Sequence, residues 1–202
     1  MHLYYITDRR QFPGDAQEQH QRVLAKIAEC AAAGVDYIQL REKDLTPRAL
    51  HRLAEEAKAR IPADSPTRLL INSRVDVAIA CGAHGVHLPA NSMRAADARS
   101  IFAMAGRRDA IVAVSTHSVE EVAEARAQGV DFVVFGPVFE KNTRGAPDGL
   151  QRLQAACRIA IPVFALGGVT RVNAPPCLAA GATGVAGIRL FQDYAFLHSP
   201  EL

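Results

Sequence analysis

The stretch QLREKD, residues 39–44, sets Gln39, Arg41 and Lys43 on alternate positions. Alternate residues of an extended chain face one side. Two cations and an amide pointing together suit an anionic ligand. The competing arrangement is a salt-bridged rim in which Glu42 and Asp44 neutralise the cations. Two glycine-rich stretches lie late in the chain, ALGGVT with Gly167-Gly168 and GVAGIRL with Gly187-Ile188-Arg189. Such loops present backbone N–H groups, which bind a phosphate without side-chain charge, and glycine leaves room for the anion. The plainer use of these glycines is to make tight turns. Ser115-Thr116-His117 adds hydroxyls and an imidazole. An imidazole titrates near neutrality and can give or take a proton. The plainer reading of a lone histidine is a satisfied polar side chain, and His87, at a strand end, is read that way.

Residues 69–92, LLINSRVDVAIACGAHGVHLPANS, have the pattern of two buried strands around a short helix. Polar clusters stand at the strand ends: Asn72-Ser73-Arg74, then His87 and Asn91-Ser92. A site for magnesium and a diphosphate wants carboxylates, and neither strand end carries one. Arg74 and Asp76 are expected to pair, or to cap the helix that starts near Val75. No three histidines or carboxylates show metal-ligand spacing.

These residues need a frame. Short apolar runs at 3–6, 37–40, 68–71, 85–88, 110–114, 132–135, 162–165 and 184–188 read as strands. Between them lie amphipathic stretches such as QRVLAKIAECAAA, LTPRALHRLAEEAKAR, MRAADARSIFAMA, SVEEVAEARAQ and DGLQRLQAAC. Strand-helix alternation predicts a parallel sheet covered by helices. A glycine turn precedes every second strand, at Gly34, Gly82, Gly129 and Gly181, spaced about 50 residues apart. Glycine closes the preceding helix there because it takes the left-handed conformation without strain. Eight strand-helix units predict an α/β TIM barrel, one domain over residues 1–202, with its chemistry at the carboxyl ends of the strands. The alternative, an open doubly wound sheet, lacks its G-x-G-x-x-G after the first strand. After Ile188 too little chain remains for a full eighth helix. The last helix is therefore expected to be short and the outer ring thin beside the first strand. A second copy covering that gap makes a homo-oligomer the expectation.

Composition sets outer bounds. The 202 residues are 49% hydrophobic with a net charge of +2 and no long run of one sign. Neither a nucleic-acid nor a membrane partner is expected from charge, and no apolar stretch is long enough to span a bilayer. Four cysteines, Cys30, Cys81, Cys157 and Cys177, show no C-x-x-C spacing and read as reduced thiols. With no signal peptide visible in MHLYYITDRR, a cytoplasmic location is expected.

Taken together, VDYIQLREKD, LLINSRVDVAIACGAHGVHL, VSTHSVEEVAEARAQGVDFVVFGPVF and IPVFALGGVT resemble the thiamin phosphate synthase and TenI superfamily. The resemblance runs from YYITDRR to GVAGIRLF and implies a TIM barrel. The family synthase joins a hydroxymethylpyrimidine diphosphate to a thiazole phosphate, with magnesium, and releases diphosphate. By resemblance, Gln39, Arg41, Lys43 and Asn72 contact the pyrimidine and diphosphate. Gly167, Gly168, Gly187, Ile188 and Arg189 hold the thiazole phosphate, and Ser115 lies near the reacting centre. Thr143 and Arg144 fall in the diphosphate loop, where the synthase's Thr-x-Thr-Lys is replaced by Lys141-Asn142-Thr143-Arg144.

The chain departs from the synthase at both expected magnesium ligands. Ser73 stands where the synthase has the aspartate of Asn-Asp-Arg. Pro89-Ala90-Asn91-Ser92 replaces its Gly-Gln-Glu-Asp. The same departures resemble TenI, the thiazole tautomerase, in which a histidine before Ser-x-Glu-Glu, here His117, is the proposed acid/base residue. The resemblance therefore implies first a tautomerase that aromatises a carboxythiazole phosphate, with His117 moving the proton and no cofactor. The alternative is the synthase itself, with magnesium. A third reading is a non-catalytic protein that binds the thiazole or thiamin phosphate.

Overall fold

The structure, a computed structural model, describes residues 1–139, 147–192 and 196–197. Strands β1 (His2–Ile6), β2 (Tyr37–Leu40), β3 (Arg68–Asn72), β4 (Gly85–Leu88), β5 (Ile111–Thr116), β6 (Phe132–Phe135), β7 (Val163–Ala165) and β8 (Gly184–Gly187) form the sheet. Helices α1 (Ala16–Ala32), α2 (Pro47–Ala59), α3 (Val75–Ala80), α4 (Ala95–Met104), α5 (Val119–Ala127), α6 (Pro147–Cys157) and α7 (Ala174–Ala179) alternate with them. Each strand pairs in parallel with the next, and β8 closes on β1. This is the TIM barrel that the alternation predicts, and closure excludes the open sheet.

Local chemistry explains where the elements start. Asp15 accepts from the N–H groups of Gln17 and Glu18, and Glu18 returns a bond to Asp15 N–H, closing a capping box on α1. Thr46 caps α2, with Pro47 in its first turn. The glycines expected to close helices do so: Gly34, Gly82, Gly129 and Gly181 all have positive φ. Strand ends differ slightly from the sequence reading. β5 runs two residues further, to Thr116, which puts Ser115 on the strand.

Pleat and register sort the strand residues. Outward-facing side chains such as Ile38, Leu40, Leu69 and Val112 join Leu24, Ile27 and Leu53 in the layer beneath the helices. Inward-facing ones fill the barrel, among them Tyr4, Ile6, Leu70, Ala113, Phe132, Val134, Phe164 and Ala186. The register stacks these as alternating contributions from odd and even strands. Tyr37 and Phe132, with ring centroids 4.7 Å apart, plug the amino-terminal end. Above them come Tyr4, Leu70, Ala113 and Phe164. The next layer holds Gln39, His87, Val134 and Ala186. The uppermost holds Ile6, Asn72, Ser115 and Leu166. Polarity therefore begins only in the upper half of the barrel, at the carboxyl ends of the strands.

After β8 a 3-10 turn, Arg189–Gln192, stands where an eighth helix would begin. Phe191 and Phe196 are fully buried. Phe191 stacks 5.4 Å from Tyr5, on the outer face of β1, so this turn itself covers part of the expected gap.

Candidate active site

The segment after β2 shows why its charges alternate. Glu42 is buried and turned away from Arg41 and Lys43. Its carboxylate accepts from Thr7 Oγ1 at 2.6 Å, from Arg9 N–H and from Arg9 Nη1 at 3.1 Å. Arg9 also grips Asp44 through both terminal nitrogens at 2.7 Å and holds its carboxyl below the usual range. The salt-bridged rim exists, but Arg9 is its cation. Arg41 and Lys43 are left without a carboxylate partner among the described residues. Thr7 Oγ1 also accepts from Arg41 N–H at 2.9 Å, which ties this segment to the end of β1.

Arg41 and Lys43 line a cleft of about 470 Å³ together with Gly167, Gly168, Gly187, Ile188 and Arg189. Asp8, Arg10 and Gln11, just after β1, complete one wall. Asp8 spends its acceptors on Arg10 N–H and Gln11 Nε2, so its charge is already engaged. Gly167 and Gly168 have φ of +96° and +64°. A Cβ on Gly167 would lie 2.6 Å from Pro137 Cα, and one on Gly168 would lie 2.7 Å from Phe139 O. Both glycines are thus required by the turn. The turn leaves the N–H groups of Gly167, Gly168 and Ile188 without partners among the described residues. A cleft lined by residues with unbonded N–H groups and by cations without carboxylate partners is chemically suited to an anion.

The ends of β3 and β4 are built differently. Ser73 takes φ +63°, rare for a residue with a side chain, and its N–H donates to His87 O at 2.8 Å. Asn72 Nδ2 donates to Ser73 Oγ at 3.0 Å. Arg74 pairs with Asp76, as expected, with Nε 2.8 Å from Oδ1, and α3 starts at Val75. Asn91 and Ser92 line a separate crevice of about 300 Å³ with Ser115, Thr116 and Glu121. Among the described residues no group of three or more His, Cys, Asp or Glu is placed to hold a metal ion. The neutral donors Asn72, Ser73, Asn91 and Ser92 do not fit a magnesium-diphosphate centre, which wants carboxylates.

His117 follows β5, in front of α5. Its Nδ1 lies 2.6 Å from Gly136 O, an acceptor only, so Nδ1 carries the proton and Nε2 is the free lone pair. Its N–H donates to Glu121 Oε2 at 2.6 Å, and Arg152 Nη2 donates to its carbonyl. Ser118 caps α5 by accepting from Glu121 N–H. Ser118 and Glu121 of the Ser-x-Glu-Glu pattern are therefore engaged in starting a helix. His117 does not line the anion cleft.

Beneath the mouth lies a polar chain that the sequence reading did not assemble. Gln39 Nε2 is 3.1 Å from Tyr4 Oη, Tyr4 Oη is 2.9 Å from His87 Nδ1, and His87 Nε2 is 2.8 Å from Ser115 Oγ. Tyr4, Gln39 and His87 are buried. Alternation assigns all four to the interior, but only the register shows that they meet. Burial, together with the charge of Arg41, pushes His87 down to about 3. A histidine whose folded value lies below its unfolded value near 6.5 keeps its full contribution above pH 6.5 and loses it as pH falls toward 3. Between pH 7 and 4.5 the fold should lose roughly 2–3 kcal/mol through His87. Urea melts of the protein and of His87→Gln at both pH values measure this: the stability gap between them should narrow by that amount in acid. A constant gap would show that His87 is not held neutral.

Thr143 and Arg144 lie outside the described residues, so the diphosphate loop is not placed. The cysteines are free thiols; burial pushes Cys30 up to about 12 and Cys157 and Cys177 up to about 11. Among the described residues no helix is long and apolar enough to cross a membrane.

Fold and site together define a TIM barrel with an anion-suited cleft at the carboxyl ends of its strands. A family profile described as thiamine monophosphate synthase, TMP-TENI, matches residues 3–191, and the chain belongs to that family. It is 47% identical over 188 residues to a "Putative thiamine-phosphate synthase" of Geobacter sulfurreducens, covering 91% of this chain and 83% of that one. It is 38% identical to a "Thiamine-phosphate synthase" of Methanoregula boonei, covering 92% and 83%. Among solved structures, a thiamine phosphate pyrophosphorylase from Pyrococcus furiosus superposes with a TM-score of 0.80 at 29% identity, covering 97% and 90%.

Proposed function

We propose that this chain is a thiamine-phosphate synthase, transferring a pyrimidine from its diphosphate to a phosphorylated thiazole. The names of its relatives favour this reading over the tautomerase that the neutral residues at β3 and β4 imply. The observation that carries it is the cleft that Arg41 and Lys43, without carboxylate partners among the described residues, line together with Gly167, Gly168 and Ile188, whose N–H groups are unbonded among the described residues.

In this reaction the thiazole nitrogen forms a bond to the exocyclic carbon of the pyrimidine. The C–O bond to the diphosphate breaks, and the electron pair leaves with that group. No proton moves, so the placement of His117 outside the cleft is no obstacle. The chain's task is to orient two rings and to stabilise departing negative charge. Arg41 and Lys43 offset that negative charge with their own positive charge, and the glycine N–H groups anchor the thiazole phosphate. The donor set does not fit magnesium, and no step is assigned to it.

One observation favours the tautomerase as second reading: His117 has a fixed tautomer with Nε2 free. Two assays separate the readings. The first mixes hydroxymethylpyrimidine diphosphate with thiazole phosphate, with magnesium and with chelator, and follows thiamin phosphate. The second supplies the carboxythiazole phosphate tautomer alone and follows aromatic absorbance. Thiamin phosphate in the first is the expected result. Turnover only in the second would replace the synthase reading, and binding without turnover in either would make the protein a carrier.

A further inference from the structure

The four-residue chain under the mouth has a direction, and that direction sets what Ser115 can do. Gln39 Nε2 donates to Tyr4 Oη. The one phenolic proton of Tyr4 then has His87 Nδ1 as its acceptor at 2.9 Å. His87 is buried and neutral, with a single ring proton. With Nδ1 accepting, that proton sits on Nε2 and is donated to Ser115 Oγ at 2.8 Å. The reverse direction would need the Gln39 carbonyl oxygen at the Tyr4 hydroxyl. It would otherwise leave a phenolic proton unpaired among Tyr37, Phe132 and Phe164.

We infer that Tyr4 and His87 are positioning residues that make Ser115 a fixed hydrogen-bond donor to the bound ligand. A serine beside a histidine usually suggests an activated nucleophile, with the imidazole taking the proton. Here the imidazole gives. Ser115 Oγ receives the Nε2 proton, so its own proton is free to point out of the barrel. Ser115 stands in the uppermost interior layer and lines the crevice of Asn91, Ser92 and Thr116, while Leu166 of the same layer lines the anion cleft. The ligand it takes is one that presents a lone pair there, on an oxygen or ring nitrogen. Donors that polarise one another in series strengthen the last of them.

The consequence for turnover rests on the synthase reading; the direction of the chain does not. The test therefore has two arms. In the first, uniformly ¹⁵N-labelled protein gives long-range ¹H–¹⁵N spectra of the imidazoles, with His87→Gln used to assign His87. The expected result is His87 with its proton on Nε2 and no titration between pH 8 and 5. In Tyr4→Phe, which keeps the ring and removes the hydroxyl, Nδ1 loses its donor. That ring should then show mixed tautomers, while burial still keeps it from titrating in that range. A proton on Nδ1 in the parent protein, or an unchanged ring in Tyr4→Phe, overturns the inference whatever the enzyme does. In the second arm, Tyr4→Phe should lower kcat at least about tenfold, with KM changed less than about twofold, because the donor matters most in the transition state. An unchanged kcat also overturns it. Absence of turnover in the parent protein counts against the synthase reading alone and leaves the spectra to decide the chain's direction.

Discussion

Replacing Arg41 and Lys43 together by alanine is expected to weaken binding of inorganic diphosphate by about 10²–10⁴-fold, with the melting temperature almost unchanged. A hydrogen bond to a charged group is worth about 1.5–3 kcal/mol, and about 1.4 kcal/mol is a factor of ten. Two such contacts account for the range if both are made. The fold should not suffer, because neither side chain has a carboxylate partner among the described residues. The structural work of this segment belongs to Glu42, which is satisfied by Thr7 and Arg9. Isothermal titration with diphosphate gives the affinity, and a thermal melt gives the stability. A loss of less than about threefold would mean that the cleft binds no anion through these cations.

The same segment shows how far the sequence could be read. Alternation in QLREKD groups Gln39 with Arg41 and Lys43, although β2 ends at Leu40 and of the three only Arg41 and Lys43 line the cleft. It could not say whether Glu42 neutralises its neighbours or is consumed elsewhere, since its partners Thr7 and Arg9 are 35 and 33 residues away. The eight strands were legible because short apolar runs and glycine stops are local signals, and each survives into the barrel. The layer of Gln39 and His87 above Tyr4, with Ser115 over it, was not. Tyr4 and His87 are 83 residues apart, and they meet only through a register that no local pattern encodes.

His117 shows what a local motif leaves open. Its motif was conspicuous, and the Ser-x-Glu-Glu that follows it supported a catalytic role. Yet Ser118 and Glu121 are explained by the start of α5, through bonds to Glu121 N–H and His117 N–H. A helix-capping pattern and a catalytic pattern share residue types, so sequence alone does not separate them. At Gly167-Gly168 a tight turn and a phosphate cradle would both call for glycine, and substitution has to separate the two demands.

Gly168→Ala separates them when it is set beside Gly34→Ala. Both glycines have positive φ, +64° and +76°. An alanine costs about 1–2 kcal/mol at such a position from backbone strain alone. At Gly34 a Cβ meets nothing within 4 Å, so that cost is the whole effect and the anion cleft is untouched. At Gly168 the added Cβ would lie 2.7 Å from Phe139 O and 2.8 Å from Phe139 Cβ. Phe139 is itself held by its N–H to Gly167 O at 2.9 Å, and Asn173 Nδ2 donates to Gly168 O at 3.0 Å. Relief of the clash must therefore move the loop that carries the free N–H groups. Gly168→Ala should lose about 2–4 kcal/mol of stability and at least about tenfold in affinity for inorganic phosphate. Gly34→Ala should lose about half as much stability and no affinity. Urea melts and phosphate titrations on both variants give the four numbers. Equal stability losses with equal, unchanged phosphate affinities would reduce Gly167-Gly168 to a turn and take the anion site away from the end of β7.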